Sequence, residues 1–149
     1  MKLRFETVID ASQESVWAAF DNPDNLKRWQ QNLVRIEPVS GEPGQPGCVC
    51  RLVYDEKGKE VVLTETVTER RQPSFMAGTY ESDSSGTLIV NHFEKIDEDT
   101  TRWTSWCNFT LRGWMRLFGL FIASAVRKRT EADMARFKLM VETDLANAS

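Results

Sequence analysis

The chain has 149 residues, 41% of them hydrophobic and 28% charged, enough for one domain to bury a core without disulfide or metal support. A formal net charge of −3 excludes a dedicated nucleic-acid binder, which carries a strongly basic face. No apolar run reaches the roughly 18 residues of a membrane span, and the alternating Met1–Asp10 stretch reads as neither a signal nor a transit peptide, so a cytoplasmic location is expected.

Residues Met1–Ile9 alternate, with Leu3, Phe5, Thr7 and Ile9 on one side, and predict a half-buried strand. Asp10–Glu14 opens a helix with Ser12 as its N-cap, and Val16, Trp17 and Phe20 form its apolar face. Asn22-Pro23-Asp24 ends that helix and starts a second short one reaching Trp29, because proline disfavours helix at the residue before it. Leu33–Val39 is a strand candidate, and Ser40–Gly47 is too rich in glycine and proline to be other than a loop. Cys48–Asp55 and Glu60–Arg70 form a hairpin across Glu56–Lys59. Phe75–Glu81 follows Pro73, and Gly86–Ile96 pairs with Thr101–Arg112 across Asp97–Thr100. Such short connections imply antiparallel neighbours.

After Gly113 the period becomes helical. Val126, Thr130, Met134, Phe137 and Val141 recur at spacings of three and four, and Trp114, Phe118 and Ile122 extend the stripe backwards. A helix of roughly 30 residues is about 45 Å long, with Asp144–Ser149 expected to fray. Neither that helix nor a sheet of this size can leave its apolar face uncovered. The simplest solution is an α+β domain over residues 1–149, a curved antiparallel sheet of about seven strands around the C-terminal helix, with two short helices after strand 1.

Cys48, Cys50 and Cys107 cannot make a closed disulfide set, and one histidine, His92, leaves a zinc site short of ligands. No metal and no cofactor are expected. Gly41–Gly47 lacks the spacing and the Lys-Ser/Thr ending of a phosphate loop, and no Ser-His-Asp or Cys-His set can be assembled.

Alternation divides the strands into faces. Trp103, Ser105, Cys107 and Phe109 are the inward set, opposite Thr87, Ile89, Asn91 and Phe93; Cys48, Cys50, Leu52 and Tyr54 form a similar set, as do Leu63, Glu65 and Val67, with Val61 before them. With Phe93 inside, His92 points outward, and Asn91 is a candidate to donate and accept hydrogen bonds. Glu65 has two readings. Between Leu63 and Val67 on a concave face it is desolvated, with a raised pKa suited to acid or base use; on a rim it is an ordinary partner for an arginine. A one-residue bulge would invert any of these assignments.

Several segments resemble the START/SRPBCC superfamily, which includes the birch-pollen-allergen-like proteins and the polyketide cyclase/dehydrase family. They are Val8–Trp17 followed by Asp21–Trp29, Thr64–Glu69 before Pro73, His92-Phe93-Glu94, Thr100–Trp103, and Arg136–Glu142. The resemblance implies a helix-grip fold with a cavity between sheet and helix at one end, and places Trp29 and Trp114 beside the cavity mouth. It brings no catalytic residue with it. The candidate ligand-binding lining is then Trp29, the strand residues Cys50, Leu52, Tyr54, Leu63, Glu65, Ile89, Asn91, Trp103 and Ser105, and the helix residues Phe118 and Ile122.

Three functions fit. One is a carrier or sensor for a small, mostly apolar molecule or lipid, and another is a cyclase or dehydratase-like enzyme acting in the same cavity. The third uses the outer surface. Residues 112–138 carry a charge of about +5 against about −8 elsewhere, so the basic helix is a candidate for weak contact with a membrane surface or a protein. Trp106 on the outer face is a candidate contact for a homodimer.

Overall fold

Strand β1 (Lys2–Ile9) buries Phe5 and Ile9 and leads into helix α1 (Gln13–Asp21). The Ser12 hydroxyl accepts a hydrogen bond from the Ser15 N–H at 3.1 Å, capping the helix as expected. Asn22 similarly caps a 3₁₀ turn, Pro23–Asn25, which passes into α2 (Leu26–Trp29). Six strands follow: β2 (Leu33–Ser40), β3 (Val49–Glu56), β4 (Lys59–Arg71), β5 (Phe75–Glu81), β6 (Ser85–Asp97) and β7 (Thr100–Leu111). A 3₁₀ segment, Gly113–Phe118, precedes the 30-residue helix α3 (Gly119–Ala148). The computed structural model describes residues 1–148.

The strands form one antiparallel sheet, as expected; its order, β1-β7-β6-β5-β4-β3-β2, with β1 beside β7, is shown by the structure alone. The β3–β4 turn shows why the hairpin closes there. Lys57 and Gly58 have φ of 54° and 86°, the left-handed pair whose twist suits a two-residue hairpin loop, and the Asp55 carboxylate accepts the Gly58 N–H at 2.7 Å.

Two expectations for the C-terminal helix need correction. The chain does not enter an α-helix after Gly113 but runs in 3₁₀ geometry to Phe118, which changes the phase of the helical faces. The end of α3 is not frayed through its described residues. Arg28 donates two hydrogen bonds to the Asp144 carboxylate, at 2.8 and 2.9 Å, and ties the last turns to α2; Ser149 lies outside the described residues.

The core sits where α1, α2 and the C-terminal half of α3 meet the sheet. Phe137 is fully buried among Phe20, Trp29 and Trp103, with ring centroids 6.1, 5.3 and 5.0 Å away. Trp103 stacks on Phe93 at 5.8 Å, and Trp17 meets Phe93 edge-on at 5.9 Å. Polar contacts fix the helix over this cluster. The Lys138 ammonium donates to the Val8 carbonyl at 2.6 Å, Glu142 accepts from the Asp10 N–H at 2.8 Å, and Arg136 Nε donates to the Trp29 carbonyl at 3.0 Å.

The inward residues of β6 and β7 become smaller away from this cluster: the pair Phe93–Trp103 gives way to Asn91–Ser105 and then Ile89–Cys107. Large rings hold sheet and helix apart at one end, and the smaller side chains cannot fill the same gap further along. If the cluster bears the stability, Phe137→Ala will cost about 3–5 kcal/mol in urea unfolding. Leu120→Ala, at an 84% exposed position, will stay within about 0.5 kcal/mol of the parent.

Candidate functional site

The gap between sheet and helix holds a cavity of about 350 Å³, within the range of small-molecule sites. Ile89, Asn91, Trp103 and Ser105 line it from β6 and β7, Tyr54 and Leu63 from β3 and β4, Trp29 from α2, and Ile122 from α3. Glu56, Ser84, Ser85, Arg129 and Asp133 supply its polar rim. A second cavity of about 240 Å³ lies under β3–β5 and takes in Cys50, Leu52 and Glu65. Phe20, Trp29, Gln30, Tyr80 and Asn91 border both.

Eleven of the twelve residues proposed from the sequence thus border one cavity or the other, and they divide between two spaces instead of lining one. Phe118 borders neither. It is the last residue of the 3₁₀ segment, 45% exposed, with its ring against Trp114 at 5.8 Å. Counting back from Ile122 at α-helical spacing put it inside; the change of helix type at Gly119 turns it out, and Met115 reaches the cavity instead.

Register sets the chemistry of the smaller cavity. Cys50, Glu65 and Tyr80 are paired partners across three neighbouring strands and so form one transverse row. The partner of Glu65 is the Tyr80 hydroxyl, not an arginine. Burial pushes the Glu65 carboxyl above its ordinary range, and the hydrogen bond with Tyr80 only partly opposes this. Tyr80 is itself pushed well up, by burial first and then by Glu65, so its phenol keeps its proton. Burial, followed by Cys48 and Glu65, raises the Cys50 thiol to about 11, which makes it a poor nucleophile near neutral pH.

Toward the larger cavity, Trp103 Nε1 donates to Asn91 Oδ1 at 2.9 Å, which leaves the Asn91 NH₂ without a partner among the described residues. Trp29 Nε1 is a further buried donor with no acceptor among the described residues. Tyr54 donates to Gln30 Oε1 at 2.8 Å beneath the Arg129 guanidinium, whose carbon lies 4.9 Å from the ring centroid. Arg129 also pairs with Glu56, and Asp133 with Arg136. Burial pushes the Asp133 carboxyl up, opposed by Arg136 and Arg129.

Sequence reasoning missed this charged rim. Its signal was present: Arg129 and Asp133 follow Val126 at spacings of three and four, on the apolar face of the same helix. His92 lies on the outer face, exposed, with its ring edge-on to Phe75 at 4.9 Å. Among the described residues no three His, Cys, Asp or Glu side chains are grouped to hold a metal.

Because the folded state raises the Glu65 pKa, it favours the protonated carboxyl. The chain will lose stability as pH rises from the unfolded value near 4.5 through the higher folded one. Glu65→Gln keeps a partner for Tyr80 and removes the ionisation. Its melting temperature, measured by circular dichroism, will exceed the parent's by a margin that grows with pH above 4.5 and vanishes below it. A margin independent of pH would contradict this account of Glu65.

Comparison with known proteins agrees with this geometry. The Zhui aromatase/cyclase from Streptomyces sp. R1128 superposes with a TM-score of 0.81 at 14% identity, over 97% of this chain and 95% of that one. A START superfamily protein from Mycobacterium smegmatis gives 0.80 at 12% identity, over 95% and 97%. The protein Ara h 8.0201 gives 0.79 at 15% identity, over 96% and 98%. At these identities the likeness establishes the helix-grip fold. A search of curated proteins finds none that matches the sequence. The model of one family does match, over residues 1–142, and the chain therefore belongs to the family described as polyketide cyclase / dehydrase and lipid transport.

Proposed function

We propose that the protein binds one small, mostly apolar organic molecule in the larger cavity, as a carrier or sensor. The observation that carries this reading is the wall itself: a 350 Å³ space with Val61, Leu63, Ile89, Leu111, Ile122 and Val126 around it. Desolvating an apolar ligand against such a surface is worth about 25 cal/mol per Å² buried. The Asn91 NH₂ and Trp29 Nε1 are two donors without protein acceptors, and a carbonyl or hydroxyl oxygen on the ligand would satisfy the first of them where an alkane could not. The family description, which includes lipid transport, supports a ligand of this class.

One observation favours a second reading, an enzyme of the cyclase or dehydratase type. Glu65 and Tyr80 form a buried acid–phenol pair beside the smaller cavity, and a protonated carboxyl can give its proton to a carbonyl or to a departing hydroxyl. The binding reading has the stronger support, because Glu65 does not border the larger cavity.

The test is titration with a fluorescent apolar probe such as anilinonaphthalene sulfonate, with Ile89→Trp as the variant that fills the larger cavity. Saturable binding by the parent, weakened at least about ten-fold in Ile89→Trp with the fold intact, is the expected result. Equal binding by both proteins would remove the cavity as the site. Glu65→Gln will leave probe affinity unchanged under the binding reading.

A further inference from the structure

Five large apolar side chains are exposed within eight consecutive residues: Trp114 (70%), Leu117 (84%), Phe118 (45%), Leu120 (84%) and Phe121 (78%). Single exposed apolar residues are ordinary on any protein. A run of five, two of them aromatic at more than two-thirds exposure, is a patch that stays wet only at a cost. Elsewhere the exposed apolar residues, such as Val8, Val39 and Ile96, stand apart along the chain.

The patch lies at the mouth of the larger cavity. Glu56 pairs with Lys59, Glu81 with Gly86, and Ser85 with Leu111, so the β3–β4 turn, the β5–β6 turn and the end of β7 share one end of the sheet. The segment from Gly113 begins there. Its inner side presents Met115 and Ile122 to the cavity, while Leu117, Leu120 and Phe121 face outward.

Charge indicates what covers it. About two turns beyond Leu120 and Phe121 the outward face of α3 becomes basic, at Arg127 and Lys128, and Arg116 interrupts the apolar run. Arg116 and Lys128 have no ion-pair partner among the described residues, whereas Arg112 is held by Glu81 at 2.7 Å and Arg127 lies 3.8 Å from Glu131. Lys57 adds a further positive charge at the neighbouring hairpin tip. A second copy of the chain would bring two such basic rims together, like charge against like. An anionic bilayer matches both parts of the surface: apolar side chains enter the acyl boundary, the indole settles at the interface, and the basic rim meets lipid phosphates.

We propose that the outer face of Gly113–Lys128 docks on an anionic lipid bilayer and holds the cavity mouth against it. Docking goes beyond ligand binding and does not depend on it, since vesicle binding is measured with no ligand added. The test is co-flotation with phosphatidylcholine vesicles, with and without about a third phosphatidylglycerol, at low and high salt. Binding to the anionic vesicles is expected, weakened by salt, and reduced on the order of five-fold by each of Arg116→Ala and Lys128→Ala. Leu117→Asn combined with Leu120→Asn will abolish it; both positions are 84% exposed, and an unchanged far-UV spectrum will show that the fold is kept. Absence of vesicle binding at low salt would overturn the proposal, as would binding that survives the double variant. So would a concentration-dependent dimer that the double variant abolishes while vesicle binding stays absent, which would make the patch a self-association surface.

Discussion

The arrangement depends on one packing constraint, the ring cluster that separates α3 from the sheet. Phe20, Trp29, Phe93, Trp103 and Phe137 meet at centroid distances between 4.9 and 6.1 Å and come from α1, α2, β6, β7 and α3. Protein interiors are packed as densely as organic crystals, so a wedge of this thickness fixes the distance of a stiff helix from the surface below it. The helix cannot bend down to close the gap beyond the wedge without breaking its own hydrogen bonds. The cavity follows from this geometry, and needs only that Ser105, Thr87 and Ser85 be too small to fill the space.

The polar groups around that space also follow from the wedge. Trp103 uses its indole N–H on Asn91, which holds the carboxamide at the boundary between the two cavities and leaves its NH₂ uncommitted. Glu65 lies on the other side of that boundary, where its carboxyl has a phenol and a thiol as neighbours and no guanidinium. A buried carboxyl without a cation is unfavourable when ionised. The same arrangement holds beside Tyr80 a carboxyl that keeps its proton to higher pH than an exposed one does. Groups held at an energetic cost in a concave site are where function is to be sought.

Much of this was legible in the sequence because strand alternation survives folding. The inward sets on β3, β4, β6 and β7 are those that period two predicts, since the register shift in β4 falls between Val67 and Glu69, beyond Glu65. The Ser12 cap and the Glu56–Lys59 turn were legible because their causes are local. Phe118 was misplaced because helical phase was carried across Gly119, where the geometry changes from 3₁₀ to α. The division into two cavities was not legible at all. Phe20 and Trp29 from the short helices and Tyr80 and Asn91 from the sheet border both spaces, and bringing such distant segments together is something no local period encodes.

The two ends of α3 are held differently, and the difference relates the core to the surface. From Asp133 onward the helix is anchored by Phe137 and Val141 in the core and by Arg136, Lys138, Glu142 and Asp144 at its edges. Before Val126 it rests on Ile122, on the 3₁₀ segment and on the rim of a void, with Leu117, Leu120 and Phe121 turned to solvent. Local stability follows buried apolar contact, so the chain concentrates its stability at one end of the helix and its exposed, weakly held surface at the other. An internal cavity needs an entrance, and the cheapest place to open one is where the fewest contacts must break. The helix end with the fewest buried contacts is also the one that borders the cavity mouth.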